Sequence, residues 1–270
     1  MVTAEIVSIG NEILIGKTLN TNAQWLAKRM TSIGLEIRRI TTVGDDLEEI
    51  SSIIREALKR KPRFIITTGG LGPTFDDKTL EGIAKALEIK LETNEEALKM
   101  VEAKYEQYVK EGLMERAELT PHRVKMATLP EGAKPLPNPV GTAPGVLIEV
   151  KDTVIIALPG VPQEMKAIFE ESILPLLRKE SKNLIFYEAE LEVRGIVESE
   201  IAPLIDEVMH DNPYVYIKSH PRGGERVSKI ILHFSTTASE STTAQNRVGK
   251  AIVQLSEMIK KKGGEIKVPK

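Results

Sequence analysis

The chain has no cysteine among its 270 residues. That absence excludes disulfides, thiolate metal sites and a cysteine nucleophile together. Histidine is scarce as well. His122, His210, His220 and His233 include no H-x-x-x-H pair, so no pattern for a structural zinc site is present. A net charge of −2 argues against broad non-specific binding of nucleic acid. No run is long and apolar enough to span a bilayer, and no basic segment followed by an apolar core opens the chain. The expected setting is therefore cytoplasmic. A G-x-S-x-G elbow is missing too, which leaves a serine hydrolase without support.

What is present is an ordinary globular composition, 41% hydrophobic and 28% charged. The length suffices for one large domain or two smaller ones. In the first part of the chain, strand and helix patterns alternate. Ile6 to Ile9, Leu35 to Val43 and Phe64 to Thr68 read as strands. Between them Ala23, Leu26, Ala27 and Met30 form one helix face, and Ile50, Ile53, Ile54, Ala57 and Leu58 another. This order predicts an α/β fold with a mostly parallel sheet covered by helices on both faces. Glu95 to Lys110 reads as a charged surface helix, and Pro130 to Pro144 as an irregular loop. Val146 to Val150 and Thr153 to Leu158 flank Lys151-Asp152 as a hairpin. A helix follows from Pro162 through Leu177.

The composition changes after Arg178. We place the larger domain at residues 1–178 and a small α+β domain at 179–270. The second block reads strand (Ile185 to Val193), helix (Glu198 to Met209), strand (Tyr214 to Lys218), strand (Val227 to Thr236) and helix (Ser241 to Lys261).

The most informative string is Thr68-Gly69-Gly70-Leu71-Gly72-Pro73-Thr74-Phe75-Asp76-Asp77. It joins the strand ending at Thr68 to a helix carrying Leu80, Ile83 and Leu87. Glycines admit a ligand close to the backbone, and the start of a helix offers unpaired N–H groups to an anion. Two carboxylates at that mouth would repel a phosphate, which suggests a divalent cation between them. Mg, Mn and Co are not distinguished. The plainer reading makes Asp76 and Asp77 first-turn acids, with Thr74-x-x-Asp77 as a capping box. Gly10 to Thr18 resembles a Walker A loop but has five residues between its glycines where four are needed, and Ile13, Leu14 and Ile15 suit packing. The turn still carries Asn11, Glu12 and Thr18 to the sheet's ligand-binding end. Gly70-x-Gly72 is a dinucleotide fingerprint that lacks its third glycine. A second strand-to-helix turn runs Pro159-Gly160-Val161-Pro162-Gln163-Glu164, and Asn138 with Gly141-Thr142-Ala143 forms a small-residue loop near it.

Taken together, these strings resemble the signature of the CinA (competence/damage-inducible) family. Gly10-x-Glu12-Ile13-Leu14-x-Gly16, Asn20-Thr21-Asn22-Ala23 and Val43-Gly44-Asp45-Asp46 match in the family's order, as do the turns at Gly69, Asn138 and Pro159. The resemblance implies a first domain with the molybdopterin-binding fold of MoaB and MogA proteins and a KH-like second domain. Many members carry a further nicotinamide mononucleotide deamidase domain, for which these 270 residues leave no room, so deamidase activity is not expected. The resemblance also implies metal-supported hydrolysis of ADP-ribose to AMP and ribose 5-phosphate, and a homodimer. On that reading Asp76, Asp77 and Glu12 are the catalytic candidates. Asp45, Asp76 and Asp77 are the metal candidates. Asn11, Thr18, Asn20, Thr68, Gly69, Gly70, Leu71, Gly72, Pro73, Thr74, Asn138, Gly141, Thr142, Ala143, Pro159, Gly160, Pro162 and Glu164 are the substrate contacts. The alternative on the same fold is a protein that binds molybdopterin or transfers an adenylyl group. A KH-type nucleic-acid site would need a G-x-x-G loop between helices, and Gly223-Gly224 falls between expected strands instead. Nucleic acid and membrane are not expected partners.

Overall fold

The computed structural model describes residues 2–182, 184–222 and 229–267. Two compact units divide the chain: residues 1–31 with 35–180, and residues 32–34 with 181–270.

The first unit is built on strands β1 (Thr3–Ile9), β2 (Glu36–Val43) and β3 (Phe64–Thr68), with helices α1 (Asn11–Leu14), α2 (Thr21–Thr31) and α3 (Leu47–Arg60) between them. It continues through α4 (Thr79–Leu87), β4 (Leu91–Thr93), α5 (Glu95–Lys110), α6 (Pro121–Lys125) and β5 (Thr128–Pro130). Strands β6 (Lys134–Leu136), β7 (Gly145–Val150) and β8 (Thr153–Leu158) precede α7 (Pro162–Ile168), a π turn (Phe169–Ile173) and α8 (Leu174–Glu180). The main sheet has the order β2-β1-β3-β8-β7-β6. The first four strands run parallel, and β7 and β6 are added antiparallel.

Every residue of β3 and β8 is buried, as expected of central parallel strands covered on both faces. Val7, Ile9, Ile65, Ile155 and Ala157 join one core with Ile50, Ile54, Ile83 and Val101 of helices α3, α4 and α5. Alternation sends Ile6, Ile66 and Ile156 to the opposite face, where α2 touches β1, β2 and α7. Helix α3 crosses α4 closely: a Cβ on Gly82 would stand 2.3 Å from Cγ2 of Ile50. Asp46 caps α3 by accepting the N–H groups of Glu48 and Glu49. Inside β1, Glu5 is 3% exposed. Arg60, at the end of α3, donates to both its carboxylate oxygens at 2.8 and 2.7 Å.

Two expectations are corrected here. Residues 130–144 are not wholly irregular, because β6 pairs with β7 from Lys134↔Leu147 to Leu136↔Gly145. Pro135 hid this strand, and only an edge strand tolerates its missing N–H. The helix expected from Pro162 through Leu177 is interrupted by the π turn just before Pro175. Proline cannot donate four residues back, so the helix widens by one residue there.

Arg29 grips Glu170 in that π turn at 2.6 and 2.8 Å. The hydrogen bond from Arg29 holds the Glu170 carboxyl below its usual range. The pair's contribution is therefore complete above the unfolded-state carboxylate pKa and fades as pH falls through the lower folded-state value. Glu170 is 39% exposed, which limits that contribution to at most about 1 kcal/mol. Glu170→Gln is expected to flatten the acid-side decline of the urea midpoint between about pH 6 and pH 3. Parallel declines in variant and parent would show that the pair does not contribute.

The second unit has strands β9 (Ile185–Arg194), β10 (Tyr216–Arg222), β11 (Lys229–Ala238) and β12 (Glu265–Lys267), with helices α9 (Glu198–Asp211) and α10 (Ser241–Lys261). Its sheet, β10-β11-β9-β12, is antiparallel throughout. Leu191, Val193, Ile217, Leu232 and Phe234 pack against Ile201, Val208, Val248 and Leu255 of the helices. Strand β10 begins at Tyr216, not Tyr214, and runs through Pro221, which its position at the sheet edge permits. Strand β12 was not expected, since three residues after a glycine pair show no periodicity. Gly223 and Gly224 lie outside the described residues.

Candidate functional site

The carboxyl ends of β1, β3 and β8 converge where the connection from β1 runs to β2 and that from β3 runs the opposite way across the sheet, the usual ligand position in an open α/β sheet. A cavity of about 460 Å³ opens there. One wall is the turn Thr68–Pro73 with Asp76 and Asp77. A second is Gly10, Glu12, Thr18 and Asp45. A third is Thr142, Ala143, Pro159, Gly160, Pro162 and Glu164.

Backbone geometry explains the glycines of the first wall. Gly69 has φ +111°, and a Cβ there would stand 2.1 Å from the carbonyl oxygen of Ile9. Its N–H donates to Leu158 at 3.0 Å, and the Thr79 N–H donates to Gly70 at 3.2 Å. The Thr79 hydroxyl closes the turn onto the Gly69 carbonyl at 2.7 Å. The N–H groups of Gly70, Leu71 and Gly72 find no acceptor among the described residues. Three consecutive free donors beside a cavity make an anion-binding concavity.

The expected capping box is present but does not cap a helix. Asp77 accepts the Thr74 N–H at 2.8 Å and its hydroxyl at 2.6 Å, closing an isolated turn. Helix α4 starts later, at Thr79. Asp76 also accepts from the Thr74 hydroxyl. That bond, with help from its own N–H and from Lys125 and Lys78, keeps the Asp76 carboxyl below its usual range. The Thr74 hydroxyl has one proton for two carboxylates. Such an unbalanced pair of hard oxygen donors fits a hard divalent cation. Asp45 does not complete the set, because no three His, Asp or Glu side chains gather as a metal-holding group among the described residues. Its carboxylate instead accepts the Asn11 N–H at 2.9 Å.

Of the other expected contacts, Asn20 lines the cavity, whereas Asn11, Asn138, Gly141 and Thr74 act one step back from it. Asn11 is held by Asp45, and its amide oxygen accepts the Asp45 N–H at 3.4 Å. Asn20 caps α2 by accepting the Ala23 N–H at 3.2 Å and binds Ser8 and Thr42, so its amide is used by the protein itself. Asn138 accepts the N–H of Gly141 at 2.8 Å and donates to Glu164 at 2.6 Å. The Glu164 carboxylate lies against Gly141, so Asn138 and Gly141 position Glu164 rather than line the cavity. Thr74 likewise positions its two acids. Glu12 lines the cavity with its carboxylate folded over Gly10. The aliphatics beside it do not pack as expected: Leu14 is 52% and Ile15 74% exposed.

Sequence reasoning passed over Asn22. From the first turn of α2 its amide donates to Thr68 Oγ1 at 3.0 Å and to the Gly160 carbonyl at 2.8 Å. Thr68 in turn donates to the Pro159 carbonyl at 2.9 Å. Asn22 thereby ties the start of α2 to the carboxyl ends of β3 and β8. The only signal was its place in Asn20-Thr21-Asn22, where Asn20 took the attention. Met126, Leu19 and Val161, also on the lining, carry no chemical signal.

Residues 5–179 match the family model described as a probable molybdopterin binding domain. A Pyrobaculum aerophilum protein is 47% identical over 263 residues, spanning 97% of this chain and 96% of that protein. An Aeropyrum pernix protein is 44% identical over 265 residues, spanning 97% of this chain and 96% of the relative. The crystal structure of the protein CinA, of unknown function, from Thermoplasma acidophilum is 42% identical, with a TM-score of 0.58 over 67% of this chain and 98% of that one. The expected fold class holds, with the α/β sheet in the first unit and a separate antiparallel sheet in the second. The chain belongs to the molybdopterin-binding-domain family, as a CinA-like member.

Proposed function

We propose that the cavity binds the phosphate-bearing end of a molybdopterin or of its adenylylated form. The observation that carries this reading is the run of free N–H groups at Gly70, Leu71 and Gly72 beside the cavity. The family supports it, since the matched domain is described as molybdopterin-binding. Each N–H offers a phosphate oxygen a charge-assisted bond. Titration calorimetry with molybdopterin is the direct test. Binding that survives replacement of the Gly69–Gly72 turn would remove the site from the proposal.

A second reading, hydrolysis of ADP-ribose to AMP and ribose 5-phosphate, is favoured by Asp76 and Asp77 on the same wall. A divalent cation held by this pair would neutralise charge growing on a pyrophosphate oxygen. The turn's N–H groups would hold the phosphate, and Glu12 or Glu164 would stand on the other walls to orient water. On this reading Asp76→Asn/Asp77→Asn lowers AMP release from ADP-ribose by about a hundredfold or more, with the urea midpoint retained. No AMP release by the parent with Mg²⁺, Mn²⁺ or Co²⁺, alongside tight molybdopterin binding, would leave the first reading alone.

A further inference from the structure

Behind the glycine-rich turn lies a second, small cavity of about 40 Å³, with Gly70, Gly72, Asp77 and Lys125 in its lining. Lys125 is the last residue of α6, a short helix that is firmly seated. Thr120 caps it by accepting the Arg123 N–H at 3.4 Å, and Pro121 takes its first position. The Arg123 guanidinium lies 3.8 Å from the centre of the Tyr105 ring on α5 and donates to the Glu118 carbonyl at 2.6 Å. His122 and Lys125 are three residues apart and so share one helix face. Both reach the acid turn. A ring nitrogen of His122 stands 3.1 Å from the Pro73 carbonyl. The Lys125 ammonium donates to the Asp77 carbonyl at 2.8 Å and also to that of Thr74.

The turn is held from outside by α6, and within itself by the bonds from Thr74 to the Asp76 and Asp77 carboxylates. Its backbone bond is the Asp77 N–H to the Thr74 carbonyl, a long 3.3 Å, and Phe75 at its tip is 87% exposed. One ammonium therefore bridges the two ends of a four-residue turn. Lys125 does so from outside the main cavity, whereas Asp76 and Asp77 line it.

We propose that Lys125 is the positioning residue that holds the Thr74–Asp77 turn from behind and sets where the Asp76 and Asp77 carboxylates stand at the cavity. The clamp rests on this geometry alone. Only its consequence for a ligand rests on the functional reading above.

Lys125→Met keeps the long apolar stem and removes the ammonium, while Lys125→Arg restores donors. Hydrogen exchange on the full chain reads the turn without any ligand. Lys125→Met is expected to speed exchange of the Asp77 amide about tenfold or more, the effect of losing charge-assisted bonds. Strands β3 and β8 keep their protection in the same experiment, and Lys125→Arg recovers most of the protection at Asp77. Affinity for ADP-ribose with Mg²⁺, or for molybdopterin, falls and recovers in step. Unchanged exchange at Asp77 in a folded Lys125→Met protein overturns the proposal. Equal loosening in Lys125→Met and Lys125→Arg, with β3 and β8 protected, overturns it too. A loosened turn with undiminished affinity for both ligands supports the clamp and removes the two carboxylates from the functional reading.

Discussion

Gly69→Ala is expected to destabilise the protein by about 3 kcal/mol or more, adding a strained positive φ to an overpacked contact. The contact cannot relax cheaply. A new Cβ would stand 2.1 Å from the Ile9 carbonyl oxygen, which belongs to the backbone at the end of central strand β1. Moving β1 would disturb its pairing with both β2 and β3. Relief by moving the turn would break the Thr79 hydroxyl bond and misplace the free N–H groups, so ligand binding should fall with stability. Gly160→Ala is the control from the same crevice. A Cβ there meets only the Gly69 Cα, at an ordinary 3.4 Å. Urea midpoints of the two variants decide the matter: equal, small shifts in both would show that the Gly69 turn is far more pliant than its geometry implies.

Arg60→Met should cost about 3–5 kcal/mol, because it strands a buried carboxylate. Glu5 is 3% exposed and sits within β1, where water cannot replace the guanidinium. Replacing both residues is a different matter. Glu5→Met/Arg60→Met removes the charge together with its partner and should recover most of the loss. Chemical denaturation of both variants reads the difference. If the double variant is no more stable than the single one, the cost lies in lost packing of the Arg60 stem and not in the stranded charge.

Strands β3 and β8 were legible because each is an almost unbroken β-branched or aliphatic run, as in Phe64-Ile65-Ile66 and Val154-Ile155-Ile156. Burial on both faces produces such runs. Strand β6 was not legible, because two of its three residues are Lys134 and Pro135. The site divides in the same way. Backbone-forming residues stand out, so the turns at Gly10, Gly69 and Pro159 could be located from composition alone. Side-chain roles could not. Asn20 and Asn22 are two residues apart and chemically identical, yet one is spent on Ser8 and Thr42 while the other reaches Thr68 and Gly160. Direction from a helix end decides between them, and direction is a tertiary fact. Lys125 was invisible for a related reason. Its targets are backbone carbonyls, and those leave no mark in a sequence.

The ties among α2 and the ends of β3 and β8 bear on how the protein is made. Thr68 and Pro159 are 91 positions apart, and Asn22 and Gly160 are 138 apart. On the ribosome, the glycine-rich turn emerges long before the strand that faces it. A nascent chain halted before β8 has a cradle with no opposing wall and nothing for Asn22 to hold. Ligand can therefore be captured only after residues through Glu164 have emerged and paired. A cofactor or nucleotide that binds here would stabilise chains that have passed α7 and leave shorter ones to proteolysis, which makes occupancy of the crevice a mark that its last wall has been synthesised and paired.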